Sequence, residues 1–340
     1  MMQPLNQVKE WEQRRDEANR YYRRGKFQES LDLATKNLDL ARAIPDRARE
    51  GYTLNDLGLA HLSCWQPQRA LERFHQALLV AVEIGNAPAE ATALSNLGST
   101  YSRLGRFSQA LEYFDMALPI FRRSQNTQGE ISTLNDVALI YTRLGEPKRA
   151  LLLQNQILTT RRLLGDFSGE ATTLNGIGFA YSVLGNFEQA LEFFQAALPI
   201  QRAIKNLPGE ATTLNNIASI YSDLGQPKQA LLLYHQVLLT RRAIKDRSGE
   251  ATTLHNIGFT YSTLAQSRQA MKFYKQAMTI YQQLGDSLGE ISTLLNMGSL
   301  YAATKRKKLA RSCYQTAQEL AKQIEHQSLL EKTQQFIDSV

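Results

Sequence analysis

Apolar and small residues recur along this chain at two spacings at once. Leu214, Ile217, Ala218, Tyr221 and Leu224 follow one another at intervals of three and four. At about 100° per residue they share one stripe, which predicts an amphipathic helix, called A below. The whole stretch then returns every forty residues. Glu210–Leu231 reads EATTLNNIASIYSDLGQPKQAL, Glu170–Leu191 reads EATTLNGIGFAYSVLGNFEQAL, and Glu90–Leu111 reads EATALSNLGSTYSRLGRFSQAL. A fixed period of this length predicts a solenoid, in which each unit buries its apolar face only against its neighbours.

Eight blocks of forty begin at residues 11, 51, 91, 131, 171, 211, 251 and 291 and fill 11–330. Residues 1–10 form an N-terminal extension, and 331–340 end a helix predicted over Ser328–Ser339, with Leu329, Leu330, Phe336 and Ile337 on one face. With slots numbered 1 to 40 in each block, slot 8 is always Gly or Ala, as in Gly178, Ala218 and Gly258. A small residue there admits a neighbouring helix closely. Slot 15 is usually Gly, which suits the left-handed end of a helix. Helix B follows, with a small residue at slot 20 and an aromatic at slot 24 (Phe74, Phe114, Phe194, Tyr234, Tyr274, Tyr314), a column that Gln154 interrupts. It closes near Gly85, Gly165 or Gly285, and Asp or Asn at slot 36 is N-cap chemistry for the next helix A. Pro119 and Pro199 fall deep inside helix B and predict a bend in alternate repeats.

Small at slot 8, aromatic at 11, Gly at 15, Ala at 20 and aromatic at 24 together resemble the tetratricopeptide repeat over residues 11–330. The usual repeat has thirty-four residues. The forty here, with arginine at slot 32, look like the subclass of the Leu-Gly-Asn polarity adaptors. The wording of Gly169–Gly178, GEATTLNGIG, and of Gly209–Ala218, GEATTLNNIA, is also similar to cyanobacterial arrays, some of which precede a caspase-like domain; none is expected here, ten residues after the last block. The resemblance implies an all-α fold, a right-handed α-α superhelix of eight helix-turn-helix repeats plus a C-terminal capping helix. It also implies a concave groove lined by the A helices.

Composition narrows the function classes. The net charge of +7 over 340 residues is mild and does not by itself make a nucleic-acid footprint. No window approaches the length of a membrane span, and the N-terminus lacks the apolar core of a signal peptide. Cys64 and Cys313 lie about six repeats apart and are poor disulfide partners. These features predict a cytoplasmic protein with no nucleic acid or membrane among its partners.

Little in the chain points to catalysis. The five histidines are scattered without metal-ligand spacing, and no phosphate loop or nucleophile elbow is present. No enzyme activity, cofactor or metal is expected. The face of helix A opposite the apolar stripe is more informative. Slots 5 and 6 supply Asn96, Asn135, Asn175, Asn215, Asn216, Asn256 and Asn296, and slot 12 supplies Ser102, Ser182 and Ser222. A solvated helix face is usually Glu and Lys, better helix formers than Asn or Ser. Two readings stand. The amides grip the backbone of an extended peptide, to which asparagine offers both donor and acceptor, or they bond adjacent A helices. Phe179 and Phe259 at slot 9 are hydrophobic anchors in the first reading and packing residues in the second.

Arg162, Arg202 and Arg242 at slot 32, joined by Arg161 and Arg241 at slot 31, form a second ladder. They engage an acidic ligand or pair with the slot-40 glutamates across the inter-repeat turn. The run Lys305–Arg311 reads most simply as a solvated turn, and Trp65 is either packed or an exposed contact. The expected function is a non-catalytic scaffold gripping an extended segment of a protein or peptide in the groove. Its alternatives are a self-assembling repeat protein, which would be a homo-oligomer, and a peptide-sensing regulatory module.

Overall fold

The computed structural model describes residues 2–324 and 326–340. Residue 1 of the expected N-terminal extension and Glu325 of the last expected repeat lie outside the described residues. Among these there are seventeen helices and no strand. Backbone proximity divides the chain into two compact units, one ending at Asp136 and one starting at Val137.

The first unit holds α1 (Met2–Arg23), α2 (Phe27–Ala43), α3 (Arg47–Ser63), α4 (Pro67–Glu83), α5 (Ala87–Arg103) and α6 (Phe107–Arg123). It also takes the first part of α7 (Thr127–Arg143). α1 starts at Met2, so the stretch set apart as an extension continues helix A of the first block. Trp11 is buried there, and its indole Nε1 donates to Thr53 Oγ1 at 2.9 Å. Trp65 packs beneath the Arg103 guanidinium, 5.2 Å from the ring centroid.

The second unit contains α8 (Pro147–Leu163), α9 (Phe167–Val183), α10 (Phe187–Ala203), α11 (Leu207–Asp223), α12 (Pro227–Ala243) and α13 (Arg247–Thr263). It ends with α14 (Ser267–Leu284), α15 (Ser287–Ala303), α16 (Lys307–Gln323) and α17 (Gln327–Asp338). The odd-numbered helices α9 to α15 are A helices. Each begins behind a slot-36 cap: Asp166, Asn206, Asp246 and Asp286 accept from the amides of Gly169, Gly209, Gly249 and Gly289 at 2.8–3.0 Å. Such a cap contributes about 1 kcal/mol. α6 and α10 run unbroken through Pro119 and Pro199.

From residue 145 to residue 305 the turns take left-handed backbone at slots 15 and 35 of each repeat. Gly185 and Gly225 supply it at slot 15 with φ of 76° and 71°. In the same slot Ala265 and Lys305 are held at 56° and 61°, a region that L-residues enter only at a cost. Replacing Ala265 by glycine removes that strain at the expense of extra freedom in the unfolded chain. The expected result is a gain of about 0.5–1 kcal/mol in denaturant unfolding.

The slot-24 rings build the core of each repeat. Phe194 and Tyr274 are each 1% exposed and lie against Gly178 and Gly258, where an added Cβ would sit 2.7 Å from a ring carbon. Leu224, expected on the buried stripe, is instead 41% exposed. α11 ends at Asp223 and Leu224 is its C-cap, a position at which Leu104 after α5 is only 4% exposed, so the helix end alone does not set the exposure.

A helices pack on one another as well as on B helices, α9 with α11, α11 with α13 and α13 with α15. Within this unit the A helices are therefore the inner row. At its end α17 lays Leu329, Leu330, Phe336 and Ile337 on a core formed by Ile291, Leu295 and Tyr314. No helix of the described residues is long and apolar enough to cross a membrane.

Candidate functional site

The polar face of the A helices follows from a register of forty. A residue at slot 6 lies beside slot 5 of the preceding repeat. In the second unit Asn256 Nδ2 donates to Asn215 Oδ1 at 3.3 Å, and Asn296 Nδ2 meets His255 Nε2 at 3.0 Å. In the first unit Asn96 Nδ2 donates to Asn55 Oδ1 at 2.6 Å. These asparagines therefore bond neighbouring A helices. Asn135, Asn175 and Asn216 are half-buried on the same slots.

A second column, outside the polar stripe that the sequence pattern marks, completes the ladder. Slot 3 is threonine at Thr53, Thr133, Thr173, Thr213, Thr253 and Thr293, all at most 1% exposed. Each hydroxyl of the second unit's four donates back to the carbonyl four residues earlier, as Thr213 does to Gly209 at 3.0 Å. The same oxygen then accepts from the previous repeat: Asn175 Nδ2 reaches Thr213 Oγ1 at 2.9 Å, and His255 Nδ1 lies 2.9 Å from Thr293 Oγ1. The recurrence of one residue type in six blocks was the available signal, hidden because threonine here sits among core positions.

His255 is held neutral by this arrangement. Thr293 spends its proton on Gly289, so it accepts from Nδ1, which leaves Nε2 to accept from Asn296. Burial lowers the pKa of the ring to about 4. In the first unit burial raises the Asp136 carboxyl, although a hydrogen bond from Ser99 opposes the shift.

Two slot-9 rings project from the same face without being absorbed into the stack. Phe179 and Phe259 are 40% and 44% exposed. Ser182 Oγ donates to the Phe179 carbonyl at 2.8 Å, and Ser222 lies 3.5 Å from Thr260 Oγ1. The face thus combines half-buried amides with two outward rings in α9 and α13.

The slot-32 arginines are not brought to this face. Arg162, Arg202 and Arg242 stand at the ends of B helices, and their Nε atoms pair with Glu170, Glu210 and Glu250 at 2.7 Å. Slot 31 departs further from expectation. Arg161 is only 6% exposed and donates from Nη1 to Gly169 O and to Thr173 Oγ1. One residue of rotation turns slot 31 toward the next A helix, where Gly169 and Gly249 leave room for the arginine stems of Arg161 and Arg241. Slots 31 and 32 are therefore not one exposed ladder. No group of three or more potential metal ligands occurs among the described residues.

A protein-family model described as Tetratricopeptide repeat matches residues 66–123, 90–163, 169–243, 209–283 and 249–323, well over half of the chain. The chain belongs to the tetratricopeptide repeat family. No curated protein sequence matches it. Among solved structures, this tetratricopeptide repeat chain is similar to NprR in complex with its cognate peptide NprX, with a TM-score of 0.68 and 17% identity. That match covers 89% of this chain and 85% of the other. The apo form of the quorum sensor NprR from B. thuringiensis gives 0.66 at 16% identity over 90% and 86% of the two chains. A Rap protein complexed with Competence and Sporulation Factor gives 0.66 at 11% identity over 97% of each. At such identities the likeness is one of fold.

Proposed function

We propose that the protein is a non-catalytic scaffold that holds an extended peptide segment of a partner against the A-helix face of its second unit. The exposure of the Phe179 and Phe259 rings on a face made mostly of Asn, Ser and Thr carries this reading. Covering one such ring contributes about 1.5–3 kcal/mol, and hot spots of binding are commonly aromatic. Asn256 and Asn296 then serve twice: one amide hydrogen secures the stack, and the remaining donor and acceptor meet the ligand backbone. Asn215, which gives its oxygen to the stack, and Asn216 offer their amide hydrogens to the same backbone. Asn175 stays in the stack, with both amide hydrogens on Ala171 O and Thr213 Oγ1 and its oxygen buried. Ser182 and Ser222 border the same strip. In the first unit, Asn96 and Asn135 offer the same chemistry without a phenylalanine at slot 9. Arg162, Arg202 and Arg242 take no part, because glutamates already neutralise them. That NprR binds a peptide on a similar fold adds support.

The test begins with peptides selected from a displayed library against the immobilised protein. Phe179→Ala and Phe259→Ala should each weaken a selected peptide by about tenfold or more with helicity unchanged. Selected peptides that bind both variants as they bind the parent would refute the assignment.

A further inference from the structure

An open cleft of about 530 Å³ lies between α14 and the α15–α16 turn, away from the amide face. Its floor is apolar, from Met271, Leu300 and Tyr301, and its walls carry Arg268, Lys272, Lys275 and Arg306. All four cations are exposed, and among the described residues none is paired with a carboxylate. α14 contains no acidic residue at all.

Slots 18, 22 and 25 are Arg268, Lys272 and Lys275 in α14, but Glu188, Glu192 and Gln195 in α10 and Ser108, Glu112 and Asp115 in α6. Slot 18 is also lysine in α8, α12 and α16 (Lys148, Lys228 and Lys308), but α14 alone among the B helices carries Arg or Lys at slots 18, 22 and 25 together. A cleft of about 420 Å³ at the start of α10, which shares the slot-17 and slot-18 positions and slot 14 of the next repeat, is edged by Glu188. Fold maintenance cannot require the cations, since the same helix position tolerates glutamate elsewhere in the array. Unpaired like charges along one ridge repel one another, a cost that an anionic partner reverses.

We propose that this cleft is a second docking site, for a short acidic segment of a partner protein that carries an aliphatic residue between its carboxylates. The first and last basic side chains of α14 lie seven positions apart, about 10 Å along the helix, the reach of roughly three extended residues. The aliphatic residue seats on Met271 and Leu300 while flanking carboxylates meet the walls. A polynucleotide fits less well. Its affinity comes from many phosphates along a basic track, with bases stacked on successive rings, and this floor offers one ring between two aliphatic side chains. The site does not depend on the proposed role of Phe179 and Phe259.

A fluorescein-labelled octapeptide alternating glutamate pairs with leucine is the probe, read by anisotropy with the full chain. The parent protein should bind it in a salt-sensitive manner, and the glutamine version of the peptide should not bind. Arg268→Glu with Lys272→Glu installs the charges α10 already carries; binding should fall at least about tenfold with an unchanged thermal midpoint. Lys275→Ala should give an intermediate loss. The proposal is overturned if the parent does not bind the peptide, if the glutamine peptide binds equally, or if the double variant keeps full affinity. Tighter binding of a uridine oligonucleotide or of phosphatidylserine vesicles through the same residues would overturn it as well.

Discussion

Phe194→Ala should lower stability by about 3–5 kcal/mol, the range for emptying a phenylalanine site in a packed core. Phe194 is 1% exposed and packs with Ala190 of its own helix and with Ile217 and Ile220 of α11, so it belongs to the contact between two repeats. In a solenoid stabilised by nearest-neighbour contacts, that loss uncouples the flanking repeats, and denaturant unfolding should separate into two transitions. Its neighbour Phe193 gives the contrast. That ring is half-buried and stacks on Tyr181 with centroids 5.4 Å apart, so Phe193→Ala should cost much less. Gly178 sharpens the test. Alone, Gly178→Ala pushes a methyl into the Phe194 ring and should destabilise by about 1–3 kcal/mol. In the Phe194→Ala background the same methyl fills vacated space and should stabilise. Additive effects in that double-mutant cycle would contradict the packing described.

Acid should weaken the second unit through His255. Its folded pKa, lowered to about 4 by burial, lies below the ordinary value of 6.5, so between the two the unfolded chain binds the extra proton. Stability is intact above pH 6.5, falls as pH drops through that window, and levels off below about 4. The loss amounts to about 3 kcal/mol at 1.36 kcal/mol per unit. Carboxylates titrate over the lower part of the same range, so the parent is best compared with His255→Asn. Asparagine occupies this slot at Asn175 and Asn215 and carries no proton to gain. Urea unfolding at stepped pH should show the parent losing more stability than the variant between pH 6.5 and 4. Parallel curves would remove His255 as the cause.

Much of the fold is legible in the sequence because a repeat writes each structural requirement several times. The caps at Asp166, Asn206, Asp246 and Asp286, the small residues under the slot-24 rings and the helical period are all local chemistry repeated at a fixed interval. Leu224 shows where this reading fails. Periodicity places Leu104 and Leu224 alike at the end of the stripe, yet one is 4% and the other 41% exposed, and nothing in the spacing separates them. Arg161 fails differently. An arginine beside the exposed Arg162 reads as surface, and its burial depends on Gly169 eight residues later, which leaves the space its stem fills.

The amide face lies between these cases. Its residues are legible as a polar stripe, but whether a side chain bonds a neighbour depends on the register between repeats. Asn256 reaches Asn215 only because slot 6 of one A helix lies beside slot 5 of the previous one. Thr213 is not legible as part of this face, because a fully buried hydroxyl on the core side reads as packing until its partner Asn175 is placed beside it. Exposure of Phe179 and Phe259 has the same origin: the alternatives of packing and anchoring have identical sequence patterns, and only the positions of neighbouring helices separate them.

Hydrogen–deuterium exchange of the full chain with and without a library-selected peptide tests the central claim most directly. The account predicts slowed exchange in α9, α11 and α13, strongest around Phe179 and Phe259, with α10 and α12 unchanged. Protection confined to the B helices, or a library that yields no binding peptide, would contradict it.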